Sequence, residues 1–207
     1  MRSLMLVLVG FASLSMGPFA QAADVAAGKA AYAVCSTCHG PNAGGNQSLN
    51  APRTAGQFDW YVKRQLLAFK DGTRGTAPGD IYGAQMRPMA MVLTNDAAVD
   101  NVVAYIATLK APASPATVQG DAAVGKQLYA TCAACHGPKG EGNPALNAPR
   151  LADQDDWYMV RELQNYKKGI RGSNPKDVYG AQMKPMAAML ANDQAINNVV
   201  AYIRTLK

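Results

Sequence analysis

Histidine is almost absent from this chain: there are two, beside four cysteines. A site that needs paired histidines in more than one place therefore has no material. Aromatics are sparse, no run of lysine or arginine occurs, and the two types are nowhere interleaved, so nothing points to nucleic acid. Past the first twenty or so residues no segment is apolar enough to cross a membrane. No stretch alternates apolar and polar residues in the way a half-buried strand requires. What is abundant is glycine and proline, 19 and 12 residues, which makes long loops between short helices the natural reading.

The first residues read as an export signal. Arg2 supplies a positive charge, an apolar run follows from Leu4 to about Ala20, and Ala20-Gln21-Ala22 fits the small-x-small cleavage rule. Residues 1–22 are thus expected to be removed. The alternative, an uncleaved anchor, is disfavoured by the shortness of the run and by Pro18. No cysteine stands there to carry a lipid. The mature chain is expected in an oxidising, extracytoplasmic space.

The rest of the chain is a duplication. Shifted by 97 residues it falls on itself without a gap, and about 50 of the 83 positions in 28–110 match 125–207. Two domains of one fold follow, 23–110 and 120–207, joined by a Pro/Ala linker over 111–119. Each half reads as all-α. A first helix begins near Asp24, a natural N-cap, and runs into a cysteine pair. A loop covers Gly40 to about Gly56. A second helix spans Asp59 to Lys70 and closes at Gly72. Met86-Arg87-Pro88-Met89 is expected in a loop. A last helix begins near Thr94–Asp96, with Val99, Val102, Val103, Ile106 and Leu109 on one face. A domain this small and loop-rich buries little alone and needs a large apolar insert.

Cys35-Ser36-Thr37-Cys38-His39 and Cys132-Ala133-Ala134-Cys135-His136 identify that insert. C-x-x-C-H is the attachment signature of c-type haem. Two thiols three residues apart reach the two vinyl groups on one porphyrin edge, and the next residue, histidine, lies under the ring. A zinc site would need two C-x-x-C pairs converging on one metal. A thioredoxin-like dithiol would sit in a βαβ pattern, which is missing. Two haem c groups, with their iron, are the expected cofactors, and their four propionates would cancel most of the mature chain's net charge of +5, which is the +6 of the full sequence less Arg2.

The sixth iron ligand can be approached by elimination. Both histidines and all four cysteines are used, so methionine is the natural candidate, ahead of lysine, tyrosine or an open position. Three of the ten methionines lie in the signal segment. Of the others only Met86/Met183 and Met89/Met186 recur in both halves, so one of each pair is expected on the iron and the other against the ring.

With these residues in place the whole mature chain resembles a class I dihaem cytochrome c of the cytochrome c4 family. The likeness rests on C-x-x-C-H, on Asn-Ala-Pro in the following loop, on Gln57, Tyr61, Gln65-Leu66, Lys70 and Gly72, and on Met-x-x-Met before the final helix. It implies Met86 and Met183 as the axial ligands opposite His39 and His136, with Met89 and Met186 second. It also implies that the Pro52 and Pro149 carbonyls accept the other ring N–H of each histidine. The first helix should pack on the last near Gly28, Tyr32 and Tyr105, repeated at Gly125, Tyr129 and Tyr202. Trp60 and Trp157 are not required by the family and would line the haem or cover a domain interface. Arg53, Arg74, Arg150 and Arg171 recur and would either meet propionates or stay solvated, the latter being the ordinary fate of a surface cation.

A six-coordinate haem has no place for substrate, so no catalytic residue is expected and the chain is read as a non-enzymatic periplasmic electron carrier. Its partners would be redox proteins: a quinol-oxidising complex or dehydrogenase as donor, and a terminal oxidase or reductase as acceptor. Membrane association would be peripheral, through those partners. The alternative is the cytochrome subunit of a dehydrogenase acting on sulfide or an alcohol. A dihaem peroxidase or thiosulfate-oxidising cytochrome would need an open iron or a histidine or cysteine sixth ligand, which the chain lacks.

Overall fold

The computed structural model describes residues 22–207, so all but Ala22 of the expected signal segment lies outside the described residues. Each half contains four helices. The first has α1 (Val25–His39), α2 (Asp59–Lys70), α3 (Ile81–Met91) and α4 (Asp96–Thr108). The second has α5 (Ala122–His136), α6 (Asp156–Lys167), α7 (Val178–Ala188) and α8 (Asp193–Ile203). No strand occurs among the described residues. Two isolated bridges, Asn46 with Ala51 and Asn143 with Ala148, pin the loops after α1 and α5.

The first, third and last helices of each half start where the sequence supplies a side-chain cap; α2 and α6 start without one. The Asp24 carboxylate accepts from Ala26 N and Ala27 N, and Asn95 from Ala98 N. The second half repeats both with Asp121 and Asn192. Within each half the first helix crosses the last at very close range. A Cβ on Gly28 would collide with the Asn101 carbonyl, and one on Gly125 with that of Asn198. Glycine is required there by contact rather than by turn geometry. The rings of Tyr32 and Tyr105 meet at 5.4 Å, as do those of Tyr129 and Tyr202. Val99, Val102, Val103 and Ile106 are buried on the inner face of α4, and Leu109 packs partly exposed at its end.

The methionine segments depart from the expected loops. Met86–Met89 lies within α3 and Met183–Met186 within α7, each with a proline inside the helix. Proline removes one i→i−4 bond. The helix survives because its start is held from outside. The Asp80 carboxylate accepts from Gly83 N and from Gly75 N, both at 3.0 Å, and Ala90 is buried at the other end.

The halves meet as a pseudo-twofold pair. Arg64 bonds Asn147, and Arg161 bonds Asn50, each through a side-chain and a backbone oxygen. The linker is pinned along its length. Arg53 donates to the Ala111 and Pro112 carbonyls, Arg204 to those of Ser114 and Pro115, and Thr117 and Val118 to Asp156.

Candidate haem sites

Cys35, Cys38 and His39 occupy the last turn of α1, where residues three and four apart share one side. The chain then turns at Gly40, φ 78°, and the Tyr32 hydroxyl donates to the Gly40 carbonyl at 2.8 Å. Asn46 and Ala51 exchange backbone bonds of 2.7 and 3.0 Å, and this small clasp presents Pro52. His39 Nδ1 stands 2.7 Å from Pro52 O, and His136 Nδ1 stands 2.8 Å from Pro149 O. Since a carbonyl only accepts, Nδ1 carries the proton and Nε2 keeps its lone pair. Burial holds both imidazoles below the ordinary histidine range, against the opposing pull of these carbonyls. At His39 the Asp155 carboxylate adds to that pull.

Each histidine lines a cavity of about 190 Å³. The first is also lined by Cys35, Cys38, Pro52, Met86, Met89 and the aliphatic face of α4, and the second repeats this with Cys132, Cys135, Pro149, Met183 and Met186. Both methionines of each pair reach the cavity. Met86 and Met183 are half-buried, while Met89 and Met186 are 38% and 39% exposed, at the mouth. The side chains of Lys70 and Lys167 donate to the Leu93 and Leu190 carbonyls, fastening the end of each methionine helix to the helix before it. The four thiols form no disulfides, and burial pushes those of Cys35 and Cys132 up. Unpaired thiols, an imidazole with a free Nε2 and a thioether, set in apolar walls, are a donor set that fits haem c.

The arginines correct the solvated reading. Arg53, Arg74 and Arg171 are only 8%, 8% and 5% exposed. Arg150, with a side chain 34% exposed, keeps a surface ion pair to Asp153. Arg74 and Arg171 line opposite cavities and both grip Glu162, while each also bonds Gln65 Oε1. Burial alone would push the Glu162 carboxyl up, but Arg171 and Arg74 hold it below the usual carboxylate range. The Nε atoms of Arg74 and Arg171 are buried without a partner. Both guanidinium groups belong to residues that line a cavity. Trp60 and Trp157 do not line the cavities; they lie beneath the interface arginines, with Arg64 4.8 Å from the Trp60 ring and Arg161 5.0 Å from the Trp157 ring.

The two cavities share a wall. Gln57, Tyr61, Gln65 and their repeats Gln154, Tyr158 and Glu162 line both. The sequence reading missed Glu162, Asp155 and Asp156 as working residues. Their signal was available: Glu162 and Asp155 oppose Gln65 and Phe58, which are uncharged, and Asp156 is matched by Asp59.

Comparison with known proteins places these features in a wider set. The profile of the cytochrome c family matches residues 25–110 and again 122–207. The cytochrome c4 of Azotobacter vinelandii is 33% identical, over 89% of this chain and 90% of its own. A thiosulfate dehydrogenase electron acceptor from Stutzerimonas stutzeri is 34% identical over 90% of each. The crystal structure of reduced recombinant cytochrome c4 from Pseudomonas stutzeri superposes with a TM-score of 0.70 at 27% identity, covering 90% of this chain and all of that one.

Proposed function

The chain belongs to the cytochrome c family, as a two-domain electron-transfer protein of cytochrome c4 type with two haem c groups, and from that premise we propose a periplasmic carrier with two closed iron sites. Cys35 and Cys38 hold one haem by thioethers and Cys132 and Cys135 the other. His39 with Met86 would hold one iron, and His136 with Met183 the other. When bound, each haem supplies a one-electron ferrous–ferric couple.

The protein's own contribution is positional. Pro52 and Pro149 orient the imidazoles and keep Nε2 toward the cavity. Lys70 and Lys167 hold the methionine helices against the site. The apolar lining keeps water from the iron, so little must reorganise when the charge changes. The observation that carries the reading is the shared wall between the cavities, which sets the two sites side by side. Partner contacts on the outer faces would be small and transient, to a quinol-oxidising complex or dehydrogenase on one side and a terminal oxidase or reductase on the other.

The test is the optical spectrum of the purified holoprotein, oxidised and reduced. Two low-spin haems with the weak red band of methionine–ferric ligation are expected. The band should vanish in the Met86→Ala/Met183→Ala variant and persist in Met89→Ala/Met186→Ala. A high-spin signal from either haem in the unsubstituted protein would sink the reading.

A second reading, a cytochrome subunit of a dehydrogenase, is favoured by the thiosulfate dehydrogenase electron acceptor among the relatives. A stoichiometric partner that stays bound through purification from the native host would select it.

A further inference from the structure

The halves differ at one contact behind the proximal histidines. The Pro52–Arg53 peptide accepts the His39 Nδ1–H at its carbonyl, 2.7 Å, and donates its N–H to Asp155 Oδ2 of the opposite half, 2.6 Å. The Pro149–Arg150 peptide does the same for His136 at 2.8 Å, but its N–H meets the neutral amide oxygen of Gln57, at 3.0 Å. One relay thus ends on a carboxylate and the other on an amide. The difference traces to a single pair in the repeat, Phe58 against Asp155. Gln154, the repeat of Gln57, keeps the matching bond from the next backbone N–H, Asp155 N at 2.8 Å as Phe58 N at 3.0 Å, but the Arg53 N–H goes to the carboxylate.

Asp155 is 3% exposed, and among the described residues no cation forms an ion pair with it. Ser114 donates to its other oxygen, and the Arg53 guanidinium is directed to the carbonyls of Ala55, Ala111 and Pro112. A buried carboxylate on a peptide N–H polarises that peptide and makes its carbonyl a stronger acceptor. A stronger acceptor at Nδ1 makes Nε2 a more basic ligand. An electron-rich ligand and a nearby negative charge in a low-dielectric site both favour the ferric state. Glu162, by contrast, lines both cavities and bonds an arginine from each, so it bears on the two sites together.

We propose that Asp155 sets the haem held by His39 at a lower reduction potential than the haem held by His136, acting as a positioning residue through the Pro52–Arg53 peptide. The proposal rests on the assignment of the two histidines as iron ligands.

The experiment is a spectroelectrochemical titration of the holoprotein, with each haem identified by paramagnetic NMR through its own histidine Nδ1–H resonance. Asp155→Asn keeps an acceptor for Arg53 N–H and reproduces the Gln57 arrangement. It should raise the potential of the His39 haem by about tenfold in its reduction equilibrium, the lower end of such ligand-orienting effects. For one electron that is about 59 mV. The His136 haem should stay in place, and only the His39 Nδ1–H resonance should shift. Phe58→Asp, which needs no tolerance at position 155, should lower the His136 haem instead. Unmoved potentials in both variants, or equal movement of both haems in Asp155→Asn, would overturn the proposal. Absence of the methionine–ferric band from the unsubstituted protein would instead overturn the ligation on which it rests.

Discussion

Arg64 holds Asn147 of the opposite half through two bonds of 3.1 Å, one to the side-chain oxygen and one to the backbone carbonyl. The guanidinium is sandwiched as it does so, 4.4 Å from the Tyr179 ring and 4.8 Å from the Trp60 ring. Arg161 repeats the grip on Asn50 between Tyr82 and Trp157. Asn50 and Asn147 adopt φ near 55°, a left-handed turn that asparagine tolerates and that exposes its own carbonyl to the arginine. Hydrogen bonds from a charged donor contribute about 1.5–3 kcal/mol each when partly buried. Arg64→Ala should therefore lower the denaturant stability of the holoprotein by about 2 kcal/mol, and Arg64→Lys should recover little of it because the planar fork is lost. A chemical-denaturation series on the three proteins would settle the magnitude.

Among the described residues, Glu162 is the one carboxylate that bonds Arg74 and Arg171. Breaking a buried ion pair by removing one partner costs about 3–5 kcal/mol, because the remaining charge is left uncompensated. Glu162→Gln should fall at the low end of that range, since the amide keeps a hydrogen bond. Gln65→Glu, on the matching position across the axis, should cost less than Glu162→Gln, as it keeps an acceptor for both arginines and removes no partner of either cation. Thermal unfolding of both variants tests the pair.

Asp156 confers a pH dependence whose sign follows from its partners. Burial would push its carboxyl up, but bonds from Thr117 Oγ1, Thr117 N, Val118 N and Trp157 N outweigh this and hold it below the usual range. A group whose folded value is depressed binds fewer protons in the folded state. Its stabilisation is complete above the unfolded value, about 3.9, and fades as the pH falls through the lower folded value. The stability gap between the natural chain and Asp156→Asn should thus be widest near neutrality and close in acid. A gap that stayed constant down to the acid limb would exclude this role.

Gly28→Ala tests the helix crossing. Alanine is the better helix former by about 1 kcal/mol, yet its methyl meets the Asn101 carbonyl, which is backbone and cannot swing aside. Overpacking of this kind costs about 1–3 kcal/mol, so a net loss of stability is expected. Lys29→Ala, on the neighbouring exposed position, should be close to neutral. Calorimetry on the two variants separates the crossing from helix propensity.

Much of this arrangement is local and could be read from the chain. The caps at Asp24 and Asn95, the bounds of α2 and the apolar face of α4 follow from spacing within a few residues. Pro88 misled the reading of α3, because a local breaker was outweighed by Asp80, whose carboxylate fastens the helix start to Gly75. The arginines misled it as well. Charge alone says surface, and only the approach of the second half turns Arg74 and Arg171 into buried groups that share one acid.

That there are two such motifs was legible from the chain alone, because two thiols and a histidine within one helical turn need no distant partner to be brought together. How the sites differ follows only from the folded arrangement. Phe58 and Asp155 are unequal letters in a repeat until folding carries each across the interface. Hydrogen bonds act over about 3 Å, a distance that packing sets and that sequence separation does not. At that range Asp155 stands behind His39, and His136 is left with the uncharged Gln57.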